Sequence, residues 1–113
     1  MKVRVKLCLV NGRNEPFMGI GLVWLLRRVE RLGSIQLAAK DMGMSYAKAH
    51  RILKRLEQGV GHKLLLRRKG GHERGGAELT SFAQSFLARY SRHNDRVSCY
   101  AQKEFAHLIG TLR

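Results

Sequence analysis

Residues 34–56, SIQLAAKDMGMSYAKAHRILKRL, contain two short helical patterns on either side of one glycine, and this stretch constrains the fold more than any other. Ser34 is a favourable N-cap, and apolar or small residues then recur at helical spacing as far as Met42. Gly43 stands where a glycine ends a helix, and Ser45 where the next helix begins. Two helices joined by a tight glycine turn predict a helix-turn-helix motif.

The second helix of this motif, predicted over residues 45–58, has an apolar stripe and a basic outer face. The stripe consists of Ala49, Ile52, Leu53 and Leu56, and the opposite side carries Ala47, Arg51, Lys54 and Gln58, flanked by Lys48, His50 and Arg55. Cations and amides on one helix face suit the major groove of DNA. A core helix with a solvated basic face is the alternative interpretation.

Charge favours the first interpretation. The chain has 22 Lys and Arg against 8 Asp and Glu, a formal net charge of +14, which attracts polyanions such as nucleic acid or an anionic membrane surface. Residues 45–74 hold nine basic and two acidic side chains, so the charge is concentrated on the second motif helix and the segment after it. DNA contact would require positive charge in this region.

Length and composition exclude several other classes. A chain of 113 residues allows one domain, and without an apolar run of membrane-spanning length or a signal peptide we expect a soluble, cytoplasmic protein. Cys8 and Cys99 are far apart and are expected to be reduced thiols. The five histidines lack metal-ligand spacing, and no catalytic set of side chains is apparent. No metal, cofactor or enzymatic activity is therefore predicted.

The segments before the motif predict a strand and a supporting helix. Residues 2–10, KVRVKLCLV, alternate between apolar and basic side chains, which predicts a strand that needs a partner in this chain or another. Residues 19–32 predict an amphipathic helix ended by Gly33, on which the motif packs. Trp24 lies beside the leucine stripe of this helix, and we expect it in the core rather than at an interface.

The segment after the motif predicts a β-hairpin wing over residues 62–80. Two short strands, the first rich in leucine, enclose the glycine-rich stretch 70–76. The predicted wing tip presents Lys69, His72 and Arg74, which can approach the phosphate backbone or a minor groove. A solvated loop is the alternative. The glycines do not form a nucleotide-phosphate motif.

A long final helix is predicted from the N-cap Thr80 through residues 81–113. Such a helix overhangs a domain formed by residues 1–80, so its apolar side is expected to pair with a second copy, giving a homodimer. Packing within one chain is the alternative, and the polar residues 92–96 predict either a kink or a polar layer. The predicted dimer contacts are Phe86, Tyr90, Val97, Ala101, Phe105 and Leu108. The predicted fold is mainly α, with a small β-hairpin wing.

Three sequence segments resemble the N-terminal DNA-binding domain of the ModE family of molybdate-responsive transcription regulators. They are Leu-Gly-Ser-Ile at 32–35 with Ala38 and Ala39, Met-Ser-Tyr at 44–46, and the double-glycine wing leading to Ala-Glu-Leu-Thr at 77–80. Residues 45–67, with Arg51, Arg-Leu-Glu at 55–57 and Gly61, are also similar to the winged helix of LysR-type regulators. The resemblance extends over about residues 19–90.

The resemblance implies a winged helix-turn-helix that binds a two-fold DNA site as a homodimer. Tyr46, Ala47, Lys48, His50 and Arg51 would enter the major groove from the second motif helix, which Ser45 begins, while the wing touches the flanking backbone. ModE proteins sense molybdate through C-terminal modules. The present sequence ends before any such module, so we carry over the DNA-binding role and not the molybdate role, and an effector is left open.

Two other functions compete with a sequence-specific regulator of double-stranded DNA. A nonspecific nucleic-acid-binding protein would follow from charge alone, but it would be expected to expose aromatic platforms, and on the basic surface only Tyr46 is a candidate. A protein-interaction module built on a winged helix would instead use the last helix as its binding surface. Preference for single strands would favour the first alternative, and a tight protein partner the second.

Overall fold

The computed structural model of the chain describes residues 1–67 and 76–112, and it has four helices and four short strands in these ranges. In chain order they are β1 (Leu9–Val10), β2 (Pro16–Met18), α1 (Ile20–Leu32), α2 (Ile35–Asp41), α3 (Tyr46–Val60), β3 (Leu65–Arg67), β4 (Ala77–Leu79) and α4 (Ser81–Leu112). The strands form two antiparallel hairpins, β1–β2 and β3–β4. The mainly helical fold with a small wing is confirmed.

The boundaries of α2 and α3 follow from local capping. The side chain of Ser34 accepts a hydrogen bond from Leu37 N, and that of Ser45 accepts one from Lys48 N, both at 3.1 Å. Gly43 has φ of 71°, a left-handed conformation that glycine adopts without steric cost, and it reverses the chain between the two helices. These interactions produce the helix-turn-helix that the sequence predicts.

Helices α1, α2 and α3 pack around a core of small and aliphatic side chains. Ala38, Ala39 and Ala49 are buried where the helices approach one another. The corresponding core face of α1 is formed by Val23, Leu25, Leu26 and Val29. Trp24 is 53% exposed, so the expectation that it lies in the core is wrong: the buried stripe passes through its neighbour Val23 instead.

The wing packs on the helices through alternate side chains. Leu65 pairs with Leu79 and Arg67 with Ala77. Leu65, Ala77 and Leu79 point into the core, whereas Leu66 is exposed. Ala77 N also donates to the carbonyl of Gly33 at 2.9 Å, and this bond attaches β4 to the connection between α1 and α2.

The N-terminal segment differs from the predicted strand over residues 2–10. Only Leu9–Val10 forms a strand, and its partner is β2, a strand that sequence analysis did not predict. Residues 3–7 keep the expected alternation of half-buried and exposed side chains, but they lie along α4. Tyr90 OH donates to Leu7 O at 2.7 Å, and Gln102 Nε2 donates to Val3 O at 2.6 Å. Residues 3–7 therefore pack along α4 and not against a second strand.

Helix α4 is continuous across residues 92–96, so these polar residues do not interrupt the helix. Its N-cap is Thr80, whose hydroxyl accepts from Ala83 N at 3.1 Å. The first three turns bury Ala83, Leu87 and Tyr90 against the winged helix. The remainder extends outward, consistent with overall dimensions of 64 × 29 × 23 Å. No helix in the described part of the chain is long and apolar enough to cross a membrane.

The β1–β2 hairpin reaches α3 at a glycine. A Cβ atom added to Gly59 would lie against the ring of Phe17, closer than van der Waals contact permits. Overpacking should cost about 1–3 kcal/mol, and a helix-propensity gain of about 1 kcal/mol offsets part of it. We therefore expect Gly59→Ala to lower the free energy of unfolding by up to about 2 kcal/mol. Urea denaturation followed by circular dichroism measures this change.

Gly110 provides the matched control because it also lies within a helix, yet an added Cβ there meets nothing within 4 Å. Gly110→Ala should leave the stability unchanged or raise it by up to about 1 kcal/mol. Equal stabilisation by both substitutions would contradict the close packing of Phe17 on α3.

Candidate nucleic-acid interface

Helix α3 presents its basic face to solvent because its apolar stripe is held in the core. Ala49, Leu53 and Leu56 are buried. The exposed side chains of α3 and its N-cap are those of Ser45, Tyr46, Ala47, Lys48, Arg51, Lys54, Arg55 and Gln58. Seven of these eight residues were predicted to contact DNA. The eighth, Gln58, was assigned to the outer face of the helix but not to the DNA contacts. The structure places them on one side of the molecule, and their individual contacts with DNA stay a prediction.

His50 lies at the edge of this face rather than at its centre. It is half-buried, and its ring centroid is 5.9 Å from that of Tyr46. The exposed Tyr46 ring stands at the first turn of α3, the end that enters a major groove in helix-turn-helix proteins. His50 also borders the groove between α3 and the wing, so it connects the two predicted contact surfaces.

An open groove of about 410 Å³ separates α3 from the wing. Its lining residues are His50, Leu53, Lys54, Glu57, Lys63, Leu65, Leu66 and Arg67. Lys54, Lys63 and Arg67 give the lining three cationic side chains against one carboxylate. A groove of this sign attracts phosphate, and it lies where a nucleic-acid backbone would pass between a recognition helix and a wing.

Glu57 is a structural residue of the site that sequence analysis did not identify. Its Oε2 accepts hydrogen bonds from Leu64 N at 2.8 Å and from Leu65 N at 3.3 Å. These bonds attach the start of β3 to α3 and fix the wing relative to the basic face. The available sequence signal is that Glu57 is the single acidic residue of an otherwise basic helix.

Thr80 completes the base of the wing. Its hydroxyl donates to Lys63 O at 2.8 Å, and its backbone N donates to Leu64 O at 3.0 Å. The connection from α3 to β3 is thus hydrogen-bonded both to α3 and to the beginning of α4. The predicted tip residues Lys69, His72 and Arg74 lie outside the described residues.

The predicted dimer contacts divide into two groups along α4. Phe86 stacks in an aromatic series that begins with His62 and Phe82, at centroid separations of 4.0 and 6.1 Å. Tyr90 is only 4% exposed, and burial raises the pKa of its hydroxyl, with a smaller contribution from Cys8. Its assignment to a dimer surface is corrected: Tyr90 belongs to the core of its own chain, because the N-terminal segment covers it.

The second group lies beyond the core. Val97, Ala101 and Phe105 are half-buried, whereas Leu108 is 52% exposed and Leu112 is 70% exposed. The N-terminal segment, attached at Gln102, accounts for part of this covering, so packing within the chain competes with the predicted pairing. Among the described residues, no three His, Cys, Asp or Glu side chains are grouped as metal ligands would be.

Fold and site together define the class of protein: a winged helix-turn-helix with a basic recognition-helix face beside a β-hairpin. The sequence profile described as bacterial regulatory helix-turn-helix protein, lysR family, matches residues 22–84. Since this match extends over more than half of the sequence, the chain belongs to the lysR family of bacterial regulatory helix-turn-helix proteins.

Similarity to ModE proteins is confirmed over the same region. The DNA-binding transcriptional dual regulator ModE of Escherichia coli (strain K12) is 36% identical over 81 residues, 72% of this chain and 29% of that protein. The transcriptional regulator ModE of Haemophilus influenzae is 37% identical over 68 residues, 60% of this chain and 27% of that protein. The chain therefore spans less than a third of the length of these relatives.

Solved structures with the same fold include two complexes of CbnR. Full-length CbnR with its target DNA superposes with a TM-score of 0.58 at 25% identity, covering 79% of this chain and 29% of that one. The complex of the CbnR DNA-binding domain with DNA gives a TM-score of 0.54 at 25% identity, covering 85% of this chain and all of that one.

Proposed function

We propose that the chain is a sequence-specific, DNA-binding transcriptional regulator that inserts α3 into the major groove and places its wing on the flanking backbone. The observation that carries this proposal is the exposed basic face of α3, held by buried Leu53 and Leu56 next to a cationic groove. Its membership of a regulatory family supports the proposal, as do the ModE relatives and the DNA bound to CbnR.

Two kinds of contact would contribute to binding. Lys48, Lys54 and Arg55 supply phosphate contacts that attract and orient the duplex without reading its sequence. Tyr46, His50 and Arg51 are proposed to read base edges, with Arg51 donating two hydrogen bonds to a guanine. These side chains provide the donors that binding needs, so we propose that the chain binds DNA without a cofactor, in the cytoplasm, where bacterial DNA is found.

Selection of bound duplexes from a random DNA pool, at near-physiological salt, tests the proposal. A two-fold motif with half-sites roughly one helical turn apart is the expected result. Absence of an enriched motif, together with binding that collapses as salt rises, would overturn sequence-specific regulation in favour of nonspecific binding driven by charge.

We further propose that the active form is a homodimer joined through the distal part of α4. The supporting observation is the exposure of Leu108 and Leu112 next to half-buried Phe105 on a helix that extends beyond the core. Apolar side chains at helical spacing on a projecting helix are stabilised by burial against a second helix.

The paired substitution Phe105→Asp and Leu108→Asp should convert the dimer to a monomer, because each carboxylate would be desolvated in the interface. Sedimentation equilibrium measures the change. The control is Ala106→Asp, an exposed position on the opposite side of α4 by the 100° step of a helix, which should remain dimeric. A wild-type protein that is monomeric at micromolar concentration would contradict the proposal.

A further inference from the structure

Helix α3 lies between two β-hairpins, not beside one. With a step of 100° per residue, Ala47, Arg51, Lys54 and Gln58 share its outer face. On one flank, His50 and Glu57 border the groove to the wing. On the other flank, Arg55 and Gly59 border a second groove, whose remaining lining comes mainly from the β1–β2 hairpin.

We propose that the turn of the β1–β2 hairpin, residues 11–15, is a second DNA-backbone contact, with Arg13 binding a phosphate on the side of α3 opposite the wing. This inference rests on the proposed function and adds a binding element to it. It predicts that the chain contacts the DNA backbone on both sides of the major groove that receives α3.

The turn is ordered by hydrogen bonds of its own. Asn11 Oδ1 accepts from Arg13 N at 2.9 Å and from Glu15 N at 3.0 Å. Asn11 N donates to Glu15 O, and Asn14 N donates to Asn11 O, while Asn14 takes a left-handed φ of 64°. Because the backbone that carries Arg13 is already fixed, contact with a phosphate would cost little conformational entropy beyond that of the side chain.

The hairpin is also fixed relative to α3. The Phe17 ring packs against Gly59, a position where any added Cβ would collide with it. Movement of α3 into a groove would therefore carry the turn with it. This coupling distinguishes residues 11–15 from a loop that moves independently of the recognition helix.

Charge on this flank favours an anionic ligand. Arg13 is exposed and forms no ion pair with any described residue, and Arg55 lies on the same side of α3. The single acid of the groove, Glu15, accepts a hydrogen bond from Asn11 Nδ2 at 3.0 Å. The groove lining itself has one guanidinium, that of Arg55, and one carboxylate, so the exposed Arg13 of the turn gives this flank its net positive charge. A guanidinium matches the geometry of a phosphate.

Fluorescence anisotropy over a salt series, with the selected duplex and with a mixed-sequence duplex, tests the inference. Arg13→Ala should weaken binding to both duplexes about threefold to tenfold and reduce the salt slope by about one phosphate contact per protomer. Arg13→Lys should retain most of the affinity. Glu15→Gln keeps an acceptor for Asn11 but removes a negative charge, so it should strengthen binding.

The matched control is Lys103→Ala, which also removes one positive charge but lies at an exposed position of α4. It should leave the salt slope unchanged. Ethylation interference should show a phosphate that is sensitive for wild type and insensitive for Arg13→Ala. If Arg13→Ala behaves like Lys103→Ala while wild type binds, this inference alone is overturned; if wild type binds no duplex, the proposed function fails as well.

Discussion

Glu57→Ala is expected to lower the free energy of unfolding by about 2–3 kcal/mol, because it leaves two backbone N–H groups without their carboxylate acceptor. Leu64 and Leu65, which carry these groups, are themselves buried in the core at the start of β3. The two hydrogen bonds are part-buried beside the groove, so water can replace the carboxylate only in part. Chemical denaturation measures the stability change, and amide exchange at Leu64 and Leu65 should accelerate.

Glu57→Gln separates hydrogen bonding from charge at this position. The amide oxygen can still accept from Leu64 N, so the loss should be smaller, about 1 kcal/mol. Glu57→Ala should displace the wing and retain α3. It should therefore reduce the affinity gained from the flanking duplex more than the affinity for the core site. Unchanged stability for Glu57→Ala would exclude the carboxylate as the attachment of the wing.

Arg51→Ala is expected to flatten the preference among DNA sequences. A bidentate contact from Arg51 to guanine discriminates by about 1–3 kcal/mol, or roughly 5-fold to 150-fold in relative affinity. Arg51 is exposed at the centre of the outer face and forms no ion pair within the described residues, so its removal should leave the fold intact. Affinities for the selected duplex and its single-base variants measure the effect.

Lys69→Ala provides the comparison, since a wing lysine is predicted to contact phosphate. Its loss should weaken binding to all sequences alike and lower the salt slope by about one per protomer. If both substitutions cause equal, uniform losses, Arg51 is not a base-reading residue. If Arg51→Ala removes discrimination and Lys69→Ala does not, the two roles are separated.

The parts of the fold that could be predicted are those determined by near neighbours. The side chains of Ser34, Ser45 and Thr80 each accept a hydrogen bond from the backbone N–H three residues further on, and Gly43 reverses the chain at its own position. Sequence order alone therefore identifies them. The basic face of α3 follows from helical periodicity in the same way. The basic face could therefore be assigned to α3 before any tertiary contact was known.

The features that sequence analysis missed depend on segments far apart in the chain. Tyr90 is buried because Leu7, 83 positions earlier, lies over it. Glu57 acquires its role only when β3 turns back onto α3, and β2 is concealed by Pro16 within a turn-like stretch. Trp24 is a different case: it lies one 100° step from both Val23 and Leu25, outside the buried face of α1, so helical periodicity alone could have placed it in solvent.

The hydroxyl of Thr80 joins the base of the wing to the first turn of α4, and this has a consequence for how operators diverge. In a homodimer, each DNA-reading head would be rigidly attached to its half of the α4 pair. The distance between half-sites would then be set by where the two α4 helices cross, while the bases within each half-site would be set by α3. Substitutions along α4 would change the spacer length that the protein requires between half-sites. Substitutions on α3 would change the bases that it prefers, so spacer length and base preference could evolve separately.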